Sequence, residues 1–326
     1  MRYAKLGKTG LKVSRLALGC MTIGDQTDEA ASTRIIQHAF DKGVTLFDTA
    51  PSYVRGRSEE ILGKALKSKR DQAVLATKVR GKMGTPFWAV DLSRKHIIES
   101  VEASLRRLQT DFIDLLQLHR FDDETPLEET LSALDDMVRQ GKVRYVGCSN
   151  FAAWQLCKAL WVSDRRSWAR LVSVQPLYNM SLRYHETELL PLCEAEGVGV
   201  ICYNPIGGGF LTGKYVRGQQ PAADTRFALR PFYQDRYWSD ENFDKLERVK
   251  AIAVERGRSL VDTAIGYVLK HPAMTSAIVG VTSMEQLDQS LKAVDVDLSD
   301  EECGAINQLW PPQGPPGMAG EQKPKG

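Results

Sequence analysis

No run in this sequence of 326 residues approaches the roughly 20 apolar residues of a membrane-spanning helix. The amino terminus, Met1-Arg2-Tyr3-Ala4-Lys5, lacks the apolar core of a signal peptide. The formal charge is only +2, and no basic run is interleaved with aromatics. Neither nucleic acid nor an anionic membrane is therefore an expected partner. The six cysteines (20, 148, 157, 193, 202 and 303) include no Cys-x-x-Cys pair and no cluster with histidine. Metal-ligand spacing is missing as well, so no metal is expected. The thiols are expected to be reduced, in a cytoplasmic protein, with Cys20, Cys148 and Cys202 acting as small hydrophobes in or beside strands. Also missing is a Gly-x-Gly-x-x-Gly turn after the first long strand, where Gly19-Cys20-Met21-Thr22-Ile23-Gly24 stands instead. That absence argues against an open dinucleotide-binding sheet.

What is present is alternation. Apolar strand-like runs at 14–19, 44–48, 73–78, 113–118, 143–148, 171–175, 198–203 and 276–280 are separated by helical patterns. The helices are expected near 28–42, 58–69, 93–108, 127–140, 151–162, 186–196, 240–256 and 259–270. Ser93 and Asp240 are candidate N-caps, and Gly43, Gly141, Gly197 and Gly257 candidate left-handed C-caps. Gly7-Lys8-Thr9-Gly10 predicts a hairpin turn ahead of the main fold. Eight strands alternating with helices predict an α/β chain: a (β/α)8 TIM barrel with an N-terminal β-hairpin and extra C-terminal helices. One domain is expected over 1–310, followed by a flexible Pro/Gly-rich tail over 311–326. No interface signature is legible, and a homo-oligomer is left open.

A barrel places its chemistry at the carboxyl ends of its strands. Asp48, Lys78, His119, Ser149-Asn150, Gln175 and Tyr203-Asn204 all fall within a residue or two of those ends. An aspartate closing a buried strand needs a cation, and Lys78 is a candidate. A lysine beside Tyr53 favours phenolate, which is expected to lower the phenol's pKa toward neutrality for general acid–base work. Each residue alone is more simply explained by packing; the joint arrangement is not. His119 with Ser149 also permits a hydrolase reading, but no acid is placed to orient the histidine.

These residues carry a resemblance. LGKTGLKVSRLALGCM, FDTAPSYVRGRSEEILGKAL, LATKV, LLQLHR, VRYVGCSNF, VSVQPLYNMSLR, GVICYNPIGGGFLTGKY and IVGVTSMEQLDQSL resemble the aldo-keto reductase family, in the family's order and over nearly the whole chain. The resemblance implies a barrel that binds a nicotinamide cofactor without a Rossmann domain and reduces aldehydes or ketones. It implies Tyr53 as general acid, Lys78 and Asp48 as its tuning pair, and His119 as the group orienting the carbonyl. Ser149, Asn150 and Gln175 would hold the carboxamide, with Cys20, Met21 and Asp48 nearby, and Tyr203 would stack on the ring. Asn204, Pro205, Ile206, Gly207, Gly209 and Lys214 would form a phosphate turn whose glycine amides approach the pyrophosphate, and Arg226 would touch the cofactor from the following loop. Gly280, Thr282 and Gln286 would lie at the adenosine 2′-phosphate and Gln289 and Ser290 near the adenine, and NADP(H) is expected ahead of NAD(H). Ser283 flanks them. Ile23, Val54, Trp88, Arg120 and Phe121 are the expected substrate-pocket residues. The stretch 227–238, rich in aromatics and arginines, reads either as a pocket wall for a flat or polyhydroxylated substrate or, as is slightly favoured, as ordinary loop packing. The expected activity is reversible carbonyl reduction, with a cofactor-sensing regulatory subunit of the same fold as the alternative.

Overall fold

The computed structural model describes residues 1–81, 83 and 90–314. The expected tail beyond residue 314, and the expected pocket residue Trp88, lie outside the described residues.

Two strands, β1 (Tyr3–Lys5) and β2 (Lys12–Ser14), pair antiparallel as the expected hairpin. Eight parallel strands follow: β3 (Leu16–Gly19), β4 (Leu46–Asp48), β5 (Val74–Val79), β6 (Ile113–Leu118), β7 (Val143–Ser149), β8 (Leu171–Gln175), β9 (Gly199–Tyr203) and β10 (Met274–Val279). They pair in sequence order, and β10 returns to β3, so the sheet closes into a barrel. Between the strands run α1 (Glu29–Asp41), α2 (Arg57–Leu66), α3 (Arg94–Leu108), α4 (Leu127–Arg139), α5 (Ala153–Arg166) and α6 (Leu189–Glu196).

The long segment after β9 holds two short helices that its aromatic sequence did not announce, α7 (Arg226–Leu229) and α8 (Phe232–Tyr237). After them come α9 (Asp240–Glu255) and α10 (Leu260–Lys270), then α11 (Met284–Lys292) and α12 (Asp300–Leu309) beyond the last strand. Ser93 caps α3 as expected, accepting from the His96 amide. At α9 the cap is Ser239 rather than Asp240; Asp240 is the first helical residue, where its charge meets the positive end of the dipole. The four glycines expected at helix ends all have positive φ.

Strand periodicity explains the architecture of the site. Successive side chains point to opposite faces. Leu16, Leu18, Phe47, Leu75, Leu116 and Val146 point outward and pack with the helices. Ala17, Leu46, Val74, Ala76, Leu115, Ile201 and Ile278 form a separate inner cluster, closed from below by Leu6 and Val13 of the hairpin. Continuing each inner column by two residues along its strand gives Asp48 after Leu46, Lys78 after Ala76, Gln117 after Leu115 and Tyr203 after Ile201. The inner column is apolar at the hairpin end and polar at the other.

Helix α2 lies unusually close to α3. A Cβ on Gly63 would stand 2.3 Å from the backbone oxygen of Leu108. Because backbone cannot swing aside as a side chain can, Gly63→Ala is expected to destabilise the protein by roughly 1–3 kcal/mol. Urea unfolding would check this; an unchanged midpoint would mean that the two helices separate without cost.

Candidate active site

The loop after β4 carries Tyr53 on a tight turn over Tyr53–Gly56, in which Val54 and Arg55 have φ of 47° and 53°. A left-handed, β-branched Val54 is a genuine outlier, of a kind costing roughly 1–3 kcal/mol and sustained by its surroundings. Those surroundings are visible. Ser58 Oγ donates to the Cys20 carbonyl at 2.7 Å and lies 2.8 Å from Thr49 Oγ1. Glu59, 0% exposed, accepts from Thr77 Oγ1 at 2.6 Å and from Arg107 Nε at 2.6 Å. Glu59, in the acidic first turn of α2, thus ties the helix to β5 and α3.

At the top of the inner column, Lys78 Nζ donates to both Asp48 oxygens, at 2.9 and 2.6 Å, to the Thr49 carbonyl at 2.9 Å and to Tyr53 OH at 3.2 Å. Lys78 is 1% and Asp48 3% exposed. Asp48 Oδ1 also accepts from Gln175 Nε2 at 2.7 Å and Gln117 Nε2 at 3.2 Å. Gln117 was missed in the sequence, though a glutamine two residues before His119 on the same strand face was the available signal. His119 meets the Tyr53 ring edge-on, with centroids 6.3 Å apart.

The electrostatics correct one expectation. Burial raises the Tyr53 pKa above its ordinary value and outweighs the lowering effect of the Lys78 ammonium. The phenol is therefore held protonated, as a donor, rather than poised near neutrality. Burial by itself would lower the Lys78 pKa, but Asp48 and Tyr53 together raise it, so the ammonium stays charged. His119 is pushed down to about 3 by burial and by the Lys78, Arg120 and Arg80 cations, so its imidazole is neutral.

These groups open onto a cavity of about 550 Å³. Of the expected cofactor residues, Cys20, Met21, Asp48, Ser149, Asn150, Gln175 and Tyr203 line it on the barrel side. Asn204, Pro205, Ile206, Gly209, Lys214 and Arg226 line it along the segment after β9. Gly280, Thr282, Gln286, Gln289 and Ser290 line it beside α11. Gly207 does not line it, whereas Gly208 does. Tyr53, His119 and the expected substrate residue Arg120 also border the cavity. Ile23, Val54 and Phe121 do not; Ile23 is buried, and Phe121 packs edge-on against Phe151 and Trp154. The stretch 227–238 divides: Phe232, Tyr233 and Arg236 line the cavity, while Phe227 and Tyr237 are core residues.

The residues expected to hold the carboxamide are tied to one another. Ser149 Oγ donates to the Gln175 carbonyl at 2.8 Å, Asn150 Nδ2 donates to the His119 carbonyl at 2.9 Å, and Tyr203 OH donates to Asn150 Oδ1 at 2.8 Å. The glycine turn departs from expectation. Gly207 N donates to the Asn204 carbonyl, Gly208 N to Asn204 Oδ1 at 2.5 Å, and Gly209 N to the Ile206 carbonyl. A turn this tight closes on its own amides and leaves none of the three for a phosphate. Cations remain: a Cβ on Gly209 would stand 2.5 Å from Lys214 Cε, so the bare backbone is what admits the Lys214 side chain. Ser283 caps α11, and the Thr282 hydroxyl donates to Gln286. A cavity with an aromatic wall, linked hydroxyl and amide side chains at its strand ends and two cations fits a nicotinamide dinucleotide.

Among the described residues, no three His, Cys, Asp or Glu side chains are arranged to hold a metal, and no helix is long and apolar enough to cross a membrane. All six cysteines are unpaired.

The profile of the Aldo/keto reductase family matches residues 15–311. A probable voltage-gated potassium channel subunit beta of Arabidopsis thaliana is 39% identical, over 91% of this chain and 92% of its own. The versiconal hemiacetal acetate reductase of Aspergillus parasiticus is 35% identical, over 96% of this chain and 98% of its own. An uncharacterized oxidoreductase of Bacillus subtilis, YrpG, is 38% identical over 96% and 97%. Matches that run the length of the barrel, and not only through its polar end, give one answer: the chain belongs to the aldo/keto reductase family.

Proposed function

We propose that this chain reduces an aldehyde or ketone to an alcohol, reversibly, with NADP(H) in preference to NAD(H), and that it does so in the cytoplasm. The observation that carries the reading is the Tyr53 hydroxyl 3.2 Å from a buried ammonium that is itself paired to Asp48. When bound, the nicotinamide supplies the hydride. Tyr53 gives its proton to the carbonyl oxygen, and the charged Lys78 beside it stabilises the phenolate that remains. Neutral His119 orients the carbonyl by donating a hydrogen bond. Ser149, Asn150 and Gln175 hold the carboxamide, whose donors and acceptor they match. Lys214 and Arg226 offer charge to the phosphates, and the α11 N-terminus with Thr282 suits an additional phosphate.

The alternative, a cofactor-sensing subunit with little turnover, is favoured by the Arabidopsis and rice relatives, both probable voltage-gated potassium channel subunits beta. The intact Asp48–Lys78–Tyr53 cluster speaks for turnover. A hydrolase gains no support, because the Ser149 hydroxyl is directed to the Gln175 carbonyl.

The test is a fluorescence titration of the purified protein with NADPH and with NADH, followed by turnover of a simple aldehyde. NADPH is expected to bind more tightly, and Lys214→Ala or Arg226→Ala to weaken it by roughly tenfold. Equal affinities overturn the preference; no binding of either removes the reductase reading altogether.

A further inference from the structure

The cavity is unevenly charged, and the excess lies at its reacting end. Of the acidic residues lining it, Asp48 is paired to Lys78, and Asp224 acts on Lys214. Three arginines have no such partner; Arg226 lies on the same segment as Lys214 and touches Met21 Sδ, which leaves two others. Arg120 directly follows His119 at the end of β6, is exposed and borders the cavity. Arg236 reaches the same cavity from α8, with its guanidinium 5.8 Å from the Phe232 ring. Neither makes a hydrogen bond or ion pair with a described residue. Both act on Tyr203, and Arg120 acts on His119 as well, which puts them beside the catalytic groups rather than with Lys214. Arg80 adds to this field: its only carboxylate among the described residues is Asp122, at 3.9 Å, and it too acts on His119.

Two exposed guanidiniums facing one cavity without carboxylate partners leave their N–H donors open to an anion. Planar forks of this kind bind carboxylates with both geometry and charge. A neutral substrate would leave them without any counter-charge.

We propose that the carbonyl substrate of this chain carries a carboxylate, held by Arg120 and Arg236 so that its aldehyde or keto group faces Tyr53 and His119. The proposal rests on the reductase reading above and adds the substrate class. It assigns Arg236 a substrate-binding role where the sequence slightly favoured loop packing, and gives Arg120 a chemical one.

The test uses two aldehydes of the same shape: 4-carboxybenzaldehyde and its methyl ester, methyl 4-formylbenzoate. The ester withdraws electrons more strongly and is the more reactive aldehyde, so any preference for the acid comes from the protein. With NADPH and the wild-type protein, kcat/KM is expected to favour the acid by roughly tenfold to a hundredfold. The difference should lie mainly in KM and should shrink with added salt. In Arg120→Gln/Arg236→Gln the ratio of acid to ester is expected to fall to about one or below, with circular dichroism reporting that the variant is folded. Should the double variant not fold, each single exchange carries the same test with a smaller fall in the ratio. Similar turnover of both aldehydes by the wild-type protein overturns the carboxylate inference and leaves the reductase standing. A preference that survives in the double variant overturns the assignment to these arginines. Turnover of neither aldehyde overturns both readings.

Discussion

Tyr53→Phe is expected to lower kcat for aldehyde reduction by roughly a hundredfold to ten-thousandfold, the range of a general acid, while NADPH binding persists. The substitution removes one oxygen and keeps the ring that meets His119 edge-on. Lys78 keeps Asp48 and the Thr49 carbonyl as partners, so folding stability should change by no more than about 1 kcal/mol. The pH profile separates Tyr53 from its neighbour His119 as the acid. Because burial raises the Tyr53 pKa, reduction by the wild-type protein should decline only on the alkaline side, above the ordinary tyrosine value of about 10. His119, held near 3, contributes no limb at the ordinary histidine pKa of about 6.5. Steady-state rates across pH check both points. A limb near that histidine value, or appreciable turnover by the phenylalanine variant, would move the acid away from Tyr53.

Lys78→Met is expected to destabilise the protein by roughly 3–5 kcal/mol, the cost of stranding a buried charge, with a fall in Tm on the order of ten degrees. Asp48, 3% exposed, would keep only two glutamine amides as side-chain partners. Methionine fills similar space, so the loss comes from charge more than from a cavity. The double variant Lys78→Met/Asp48→Asn should recover most of that stability, because a neutral amide needs no counter-charge, yet stay inactive. Denaturant melts of the two variants decide the matter: equal loss in both would mean that packing, not the ion pair, holds this region. The linkage has a definite sign. The Lys78 pKa is raised on folding, so its stabilising contribution is complete at neutral pH and is lost only as pH climbs through that raised value.

The barrel was legible because the parallel strands are short, largely buried apolar runs, and because six in succession, β4 to β9, end in a polar or aromatic residue at the same face. That regularity located Asp48, Lys78, His119 and Gln175 together. The cap at Ser239 was misplaced by one residue because Asp240 is an equally good cap by type; only backbone conformation separates them. Gln117 escaped notice, and Glu59 reads in the sequence only as an acidic first-turn residue, until the fold brings Asp48 and Arg107 to them. The glycine turn misled for the opposite reason: three glycines permit exposed amides, but Asn204 and Ile206 had already engaged them. The sign of the Tyr53 shift depended on weighing burial against a neighbouring charge, and burial cannot be read from five residues of loop.

The inner columns of the strands have a consequence for how such a protein can change over time. Core and active site occupy alternate positions of the same few residues, so a deletion of one residue within β5 would bring Thr77 or Val79 to the place of Lys78 and turn the lysine out among the helices. Substitution can explore these columns one side chain at a time; insertion and deletion cannot, because they exchange the wet and dry faces of an entire strand at once. Length variation is therefore confined to the loops, where it can reshape what the protein accepts without disturbing how it reacts.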